Sequence, residues 1–367
     1  MRKLIVSVAA LACCFAASAV AQDVGQNIEG QGPVPRFVTL PPKPSTQTAK
    51  VTLPTWNGSF TCTVSACGVG TIYHYYMVGT APSTGTSTTV KAFIIPVKIV
   101  IGANTFDPRA TIDGGESVVQ QTVESPIFQK QPYVLGGTTI GTTQYEDAFQ
   151  RANFWGTVKS HTGYHVLLGG PTVLPELTYS PGANGAVVSS NPFGGGGPTA
   201  LVNINTFDPQ LTAYITAHTQ ITPDSIPIFM TVNTYLTEGS PNVNNCCVGG
   251  YHSANGAQAY SHFTFIPVPG DFSQDVSALS HELGEWMDDP GTKGAFNSVA
   301  CGILEVGDPE EGFSNYGGFG YSLGGFNYNL QDLVFLEYFG APNTTSVNGW
   351  ETFHDNPFGL GICNNGG

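Results

Sequence analysis

His281, Glu282 and Glu285 stand close together in Ser-His-Glu-Leu-Gly-Glu-Trp-Met-Asp-Asp-Pro, residues 280–290. On an α-helix, positions four apart share a face about one turn from each other. His281 and Glu285 would therefore point the same way, with Glu282 beside the histidine. An imidazole nitrogen and a carboxylate oxygen ligate zinc at similar distances, and a free carboxylate nearby can take a proton from water. The usual form of this layout is His-Glu-x-x-His; the fourth position here is Glu285. Glu282, Glu285, Asp288 and Asp289 carry one sign, with no basic residue among them. A plain solvated helix more often mixes signs, and a cation would relieve the crowding.

These residues need a helix to position them. Val276, Leu279, Leu283, Trp286 and Met287 recur at steps of three and four, which predicts a helix over 273–288 with one apolar stripe. Ser273 is the expected N-cap, Asp275 sits in the first turn, and Pro290-Gly291 ends the helix. His281, Glu285 and Asp288 fall on the polar side. A third ligand is expected downstream, in Cys301-Gly-Ile-Leu-Glu305-Val-Gly-Asp308-Pro. Upstream, His252 and His262 are rivals as ligands. His262 opens an alternating run that reads as a strand.

The stretch from His281 to Asp308 resembles the glutamate-zincin branch of the zincin metallopeptidases. In that branch His-Glu-x-x-His is followed some twenty residues later by a ligating Glu and, one turn on, by an Asp. The resemblance implies His281, Glu285 and Glu305 as metal ligands, Glu282 as general base and Asp308 as the partner that orients His281. In that family a strand before the metal helix edges the substrate cleft, which implies His252 or His262 as a contact for a substrate carbonyl or an oxyanion. Glu285 departs from the family's histidine, and Gly307 and Pro309 oppose the long helix the family usually places around Glu305. Zinc is the implied metal. Manganese, iron and calcium are alternatives, because carboxylates suit harder ions. The implied activity is hydrolysis of a protein or peptide substrate, with a non-catalytic secreted protein holding a structural ion as the second reading. Glycoside hydrolysis ranks last, since Glu282 and Glu285 on one helix would not flank a sugar.

The remaining sequence sets the setting. Residues 1–21 read as a signal peptide, with Arg2 and Lys3, an apolar run over 4–15 and Ala19-Val20-Ala21 as cleavage site. The implied product is secreted, extracellular or periplasmic, and not held in a membrane. Without Arg2 and Lys3 the formal charge falls below the −14 of the whole chain, a poor balance for nucleic acid. Residues 22–50 read as a flexible leader or pro-segment. Residues 51–367 read as a single catalytic domain, with room for two lobes, 51–270 and 271–367.

Six cysteines survive signal removal, and export favours disulfides. Cys62–Cys67 could close a local loop, Cys301–Cys363 could tie the tail, and Cys246-Cys247 could form a vicinal bridge. Strand-like runs cover 71–78, 88–101, 164–168, 200–204 and 226–232, with Pro96 marking an edge or bulge. Residues 144–155 and 209–218 read as helices. Asn-Thr-Phe-Asp-Pro occurs at 104–108 and 205–209, as turn chemistry in both places. Residues 317–325 read as a loop over the cleft and 326–339 as a buried helix beneath it. The expectation is an α+β fold: a β-rich secreted protein with a zincin-like metal-binding helix and long Gly/Pro-rich loops.

Overall fold

A computed structural model describes residues 33–44, 53–112, 115–290, 304–311 and 313–356. The signal peptide and the Cys301–Cys363 pair lie outside the described residues. In chain order the elements that build the site are β1 (Arg36–Thr39), β2 (Thr55–Thr61), β3 (Ile72–Val78), β4 (Ser87–Ile101), α1 (Tyr145–Asn153), β5 (Pro198–Asn203), α2 (Ile204–Ala217), β6 (Ser225–Val232), β7 (Thr234–Thr237), β8 (Cys246–Asn255), β9 (Gln258–Phe265), α3 (Ser277–Asp288), β10 (Gly318–Leu323) and β11 (Phe326–Gln331).

Most strands belong to one large mixed sheet, so the protein is a β-rich α+β structure. β4, β6 and β9 run parallel, and β8 returns antiparallel to β9. β6 is buried along its whole length, as a strand covered on both faces must be. Its sequence, Ser-Ile-Pro-Ile-Phe-Met-Thr-Val, accordingly runs apolar rather than alternating. β4 is interior, so Pro96 does not mark a sheet edge. It pairs with Met230 on one side and falls on the other between two short strands, which pair at Ile94 and at Val97. The missing N–H thus sits where that ladder is already interrupted.

α3 packs between the β8–β9 face, β3, α1 and β11. Every one of its residues is buried, polar positions included. The helix expected from the 3.6-residue pattern is therefore a core helix, whose polar side faces a buried polar cluster. It also begins later than Ser273. Asp275 has φ of 41°, off the helical path, and its carboxylate accepts the N–H groups of Val276 and Asn329. The helix starts only after that break.

Three further expectations change. Residues 33–44 do not form part of a loose leader. β1 pairs in parallel with β8, and Val34, Leu40 and Lys43 extend the pairing by backbone hydrogen bonds to Cys246, His252 and Ala254. Leu236 of β7 and Arg36 of β1 both pair with Val248, so β1 covers the other edge of β8. Residues 317–339 contain no long helix: β10 and β11 form an antiparallel hairpin, followed by turns. Leu330, Leu333, Val334, Leu336 and Phe339 are buried as expected, but by strand and turn geometry. The helix expected at 209–218 begins at Ile204, because Asn203 caps it by accepting the Asn205 N–H. One Asn-Thr-Phe-Asp-Pro copy is thus a strand and turn and the other lies in a helix, so the turn chemistry expected of both holds for the first copy alone.

Disulfides join Cys62 to Cys67 and Cys246 to Cys247, as two of the proposed pairings had it. Among the described residues no helix is long and apolar enough to cross a membrane.

Candidate metal centre

The α3 helix carries His281, Glu282 and Glu285 into the layer between the sheet and the β11 hairpin. His281 Nδ1 lies 2.7 Å from Gln331 Oε1 on β11. The same glutamine donates through Nε2 to the carbonyl of Gly307, at 2.8 Å. That fixes which end of the amide faces the imidazole, so Nδ1 carries a proton and Nε2 is the nitrogen left for a second proton or a metal ion. Nε2 in turn lies 3.0 Å from Glu285 Oε1 and 3.4 Å from Asp308 Oδ1. It makes no regular hydrogen bond with either. A lone pair facing two carboxylates is repulsive unless a proton or a metal ion sits between them.

Asp308 therefore does not take the orienting role expected of it. Its carboxylate is on the ligand side of His281, and Gln331 occupies the orienting side. Gly307 makes this possible: a Cβ built there would lie 2.2 Å from His281 Nδ1. Its N–H also donates to Glu285 Oε1 at 3.2 Å.

β8 supplies the second histidine. His252 Nδ1 is 3.0 Å from Glu282 Oε2 and 3.7 Å from Glu285 Oε2, and its Nε2 is 3.3 Å from the Thr39 hydroxyl. Two residues earlier, Gly250 leaves room for the Glu282 side chain, since a Cβ there would lie 2.7 Å from Glu282 Oε1. That oxygen is buried and has no hydrogen-bond partner. His262 does not join the cluster. Side chains alternate across a sheet, and His262 lies on the opposite face, packed against Phe207 of α2 and Tyr251, with Nε2 on Thr231.

The acids complete the centre. Glu305 Oε1 accepts a 2.6 Å hydrogen bond from the Thr39 hydroxyl, and Glu311 Oε1 accepts one of 2.8 Å from the Phe37 N–H. The Phe37 ring lies against His281, tilted by 37° with centroids 3.9 Å apart. Ligand atoms lie within 4.8 Å of one another in three groups: His252, Glu282 and Glu285; His281, Asp308 and Glu311; and Glu285, Glu305 and Asp308. His252, His281, Glu282 and Glu285 are fully buried, whereas Glu305, Asp308 and Glu311 are only partly so. The cluster thus has a closed inner end and an outer end that reaches the surface.

No family model, curated protein or solved structure matches this chain.

Burial pushes the carboxyls of Glu282, Glu285, Glu305 and Glu311 well above the ordinary glutamate range, and neighbouring acids push most of them further. Burial lowers His252 to about 3, with the nearby His281 adding to it, so His252 is neutral at pH 7. Burial also works against charge on His281. The Asp308 carboxylate and the charges of Glu282 and Glu311 outweigh it and raise His281 to about 9. Without another cation, the cluster holds protons against its own repulsion. Two imidazoles and five carboxylates, with no thiolate, fit zinc and also suit manganese, iron or calcium.

Sequence reading missed Thr39, Phe37, Glu311 and Gln331. For Glu311 a signal existed: Glu305, Asp308 and Glu311 are spaced by three. Residues 308–310 form a 3₁₀ turn, in which side chains three apart eclipse.

Proposed function

We propose that the protein is a secreted metal-dependent hydrolase of peptide bonds, related in layout to the glutamate-zincins. The observation that carries this reading is the buried Nε2 of His281, turned by Gln331 toward Glu285 and Asp308, where a metal ion would take the place of its proton. His281, Glu285 and Glu305, with Asp308 beside them, would hold a zinc ion at the outer end of the cluster. When bound, zinc supplies a Lewis acid that makes its water acidic near neutral pH.

The chain's own residues do the rest. Glu282 Oε2 is held against His252 Nδ1, which leaves Oε1 free in a water-poor setting. Its raised proton affinity lets it take a proton from the attacking water and pass it to the leaving amine. A polypeptide substrate is favoured because an extended segment already lies there. β1 runs along β8 by strand pairing, with Thr39 on Glu305 and Phe37 on His281. A substrate strand would take the place of β1.

The test is Glu282→Gln in the full chain. It should retain fold and lose about 10²–10⁴-fold in peptide hydrolysis, the usual worth of a positioned acid–base group. Full activity in that variant would remove the mechanism.

A second reading has its own support. The complete burial of His252, His281, Glu282 and Glu285 suits a structural ion closed by protein groups. On that reading, chelation lowers the melting temperature and no peptide is cleaved.

A further inference from the structure

The Glu285 carboxylate faces two different histidines with its two oxygens. Oε1 lies 3.0 Å from His281 Nε2, and Oε2 lies 3.7 Å from His252 Nδ1. Each imidazole has its own further acid. His252 has Glu282, and His281 has Asp308 and Glu311. Both rings are anchored at the far nitrogen, His281 by Gln331 and His252 by Thr39. Each therefore aims its inner nitrogen at the carboxylates. Within this layer His281 Nε2 and Glu282 Oε1 are buried without a hydrogen-bond partner.

We propose that the cluster takes two divalent cations bridged by Glu285. The inner one binds His252 and Glu282, and the outer one binds His281, Asp308 and Glu311, with Glu305 closing the space between Glu285 and Asp308. This deepens the hydrolase reading and rests on its outer ion. A single cation leaves one of the two imidazole–carboxylate groups to protons alone. Two divalent cations give each imidazole–carboxylate group its own ion and leave one negative charge of the five carboxylates over, and ions about 3.5–4 Å apart are the arrangement of two-metal hydrolytic centres. The ends also differ in access. The inner group is wholly buried, and the outer group is partly exposed on Asp308 and Glu311. The outer ion is the one that keeps a position for water. Glu282 Oε1, directed away from the inner ion's oxygen, remains free for the proton.

The experiment is titration of the full-length, chelator-stripped protein with zinc, with elemental analysis after desalting, for wild type, Glu311→Gln, His252→Gln and Glu285→Gln. Two equivalents are expected in wild type. Glu311→Gln and His252→Gln should each retain one tight site and weaken the other at least tenfold, while Glu285→Gln weakens both. Because a buried variant may fail to fold, the wild-type protein loaded with manganese provides an independent reading. Its electron paramagnetic resonance should show a spin-coupled pair and not the six-line signal of isolated ions. One equivalent of zinc, or two uncoupled manganese ions, overturns the bridged pair and leaves the hydrolase reading standing. No bound ion at all overturns both.

Discussion

At the scale of single residues, the centre depends on how His281 is held. Gln331 does for it what a carboxylate does in many metal sites, and such partners are worth about 10–100-fold in metal affinity. Gln331→Leu should therefore fold and bind zinc about that much more weakly, as a competing chelator would report. Gly307→Ala places a Cβ against the ring, 2.2 Å from Nδ1. Overpacking of this kind costs about 1–3 kcal/mol, so its denaturation midpoint should fall together with zinc loading. The sequence made His281, Glu282 and Glu285 legible, because helical spacing alone puts them on one side. Glu305 and Asp308 were legible as neighbours of the site, but not in their roles. Which nitrogen of His281 faces which acid depends on Gln331, fifty residues away on a hairpin, and no local spacing encodes that. His252 and His262 looked alike in sequence. A register that puts one on each face of the sheet separates them.

Among the elements, β1 is the piece the composition concealed. Residues 33–44 are rich in proline and short of periodicity, so they read as a leader. Their order comes from outside the segment: the open edge of β8, Glu238 for Arg36, and Asp208 and Tyr260 for Lys43. Long-range pairing of this sort overrides local propensity. Phe37 is the sharpest test of the element. Replacing it by alanine removes a buried ring from His281 and should cost about 3–5 kcal/mol. It should also speed zinc uptake by the stripped protein, measured with a metal indicator in stopped flow. Unchanged uptake in a folded Phe37→Ala variant would mean that β1 does not cover the cluster. The α3 helix shows the opposite case. Its existence was legible from periodicity, but its setting was not, because a helix enclosed on all sides still carries an apolar stripe. The β10–β11 hairpin was misread for a related reason. A short apolar run has the same look in a buried strand and a buried helix.

For the whole molecule, the accumulated acids give the metal-free protein a distinctive pH response. Burial raises the affinity of Glu282, Glu285, Glu305 and Glu311 for protons, and neighbouring carboxylates raise His281 to about 9 from an ordinary value of 6.5. Such groups bind protons more tightly folded than unfolded. Their contribution is full below the unfolded values and is lost as pH rises through the folded ones. His252, lowered to about 3, acts the other way, but only below 6.5. The metal-free protein should therefore lose thermal stability between pH 6.5 and 9, and the zinc-loaded protein should not, as scanning calorimetry across that range would show. The most direct test of the central claim is digestion of a mixed peptide library by zinc-loaded wild-type protein, read by mass spectrometry. New cleavage products should appear, vanish on chelation, return with zinc and be absent with Glu282→Gln. Zinc-loaded, folded protein that cuts no peptide would contradict the claim and leave the ion a structural one.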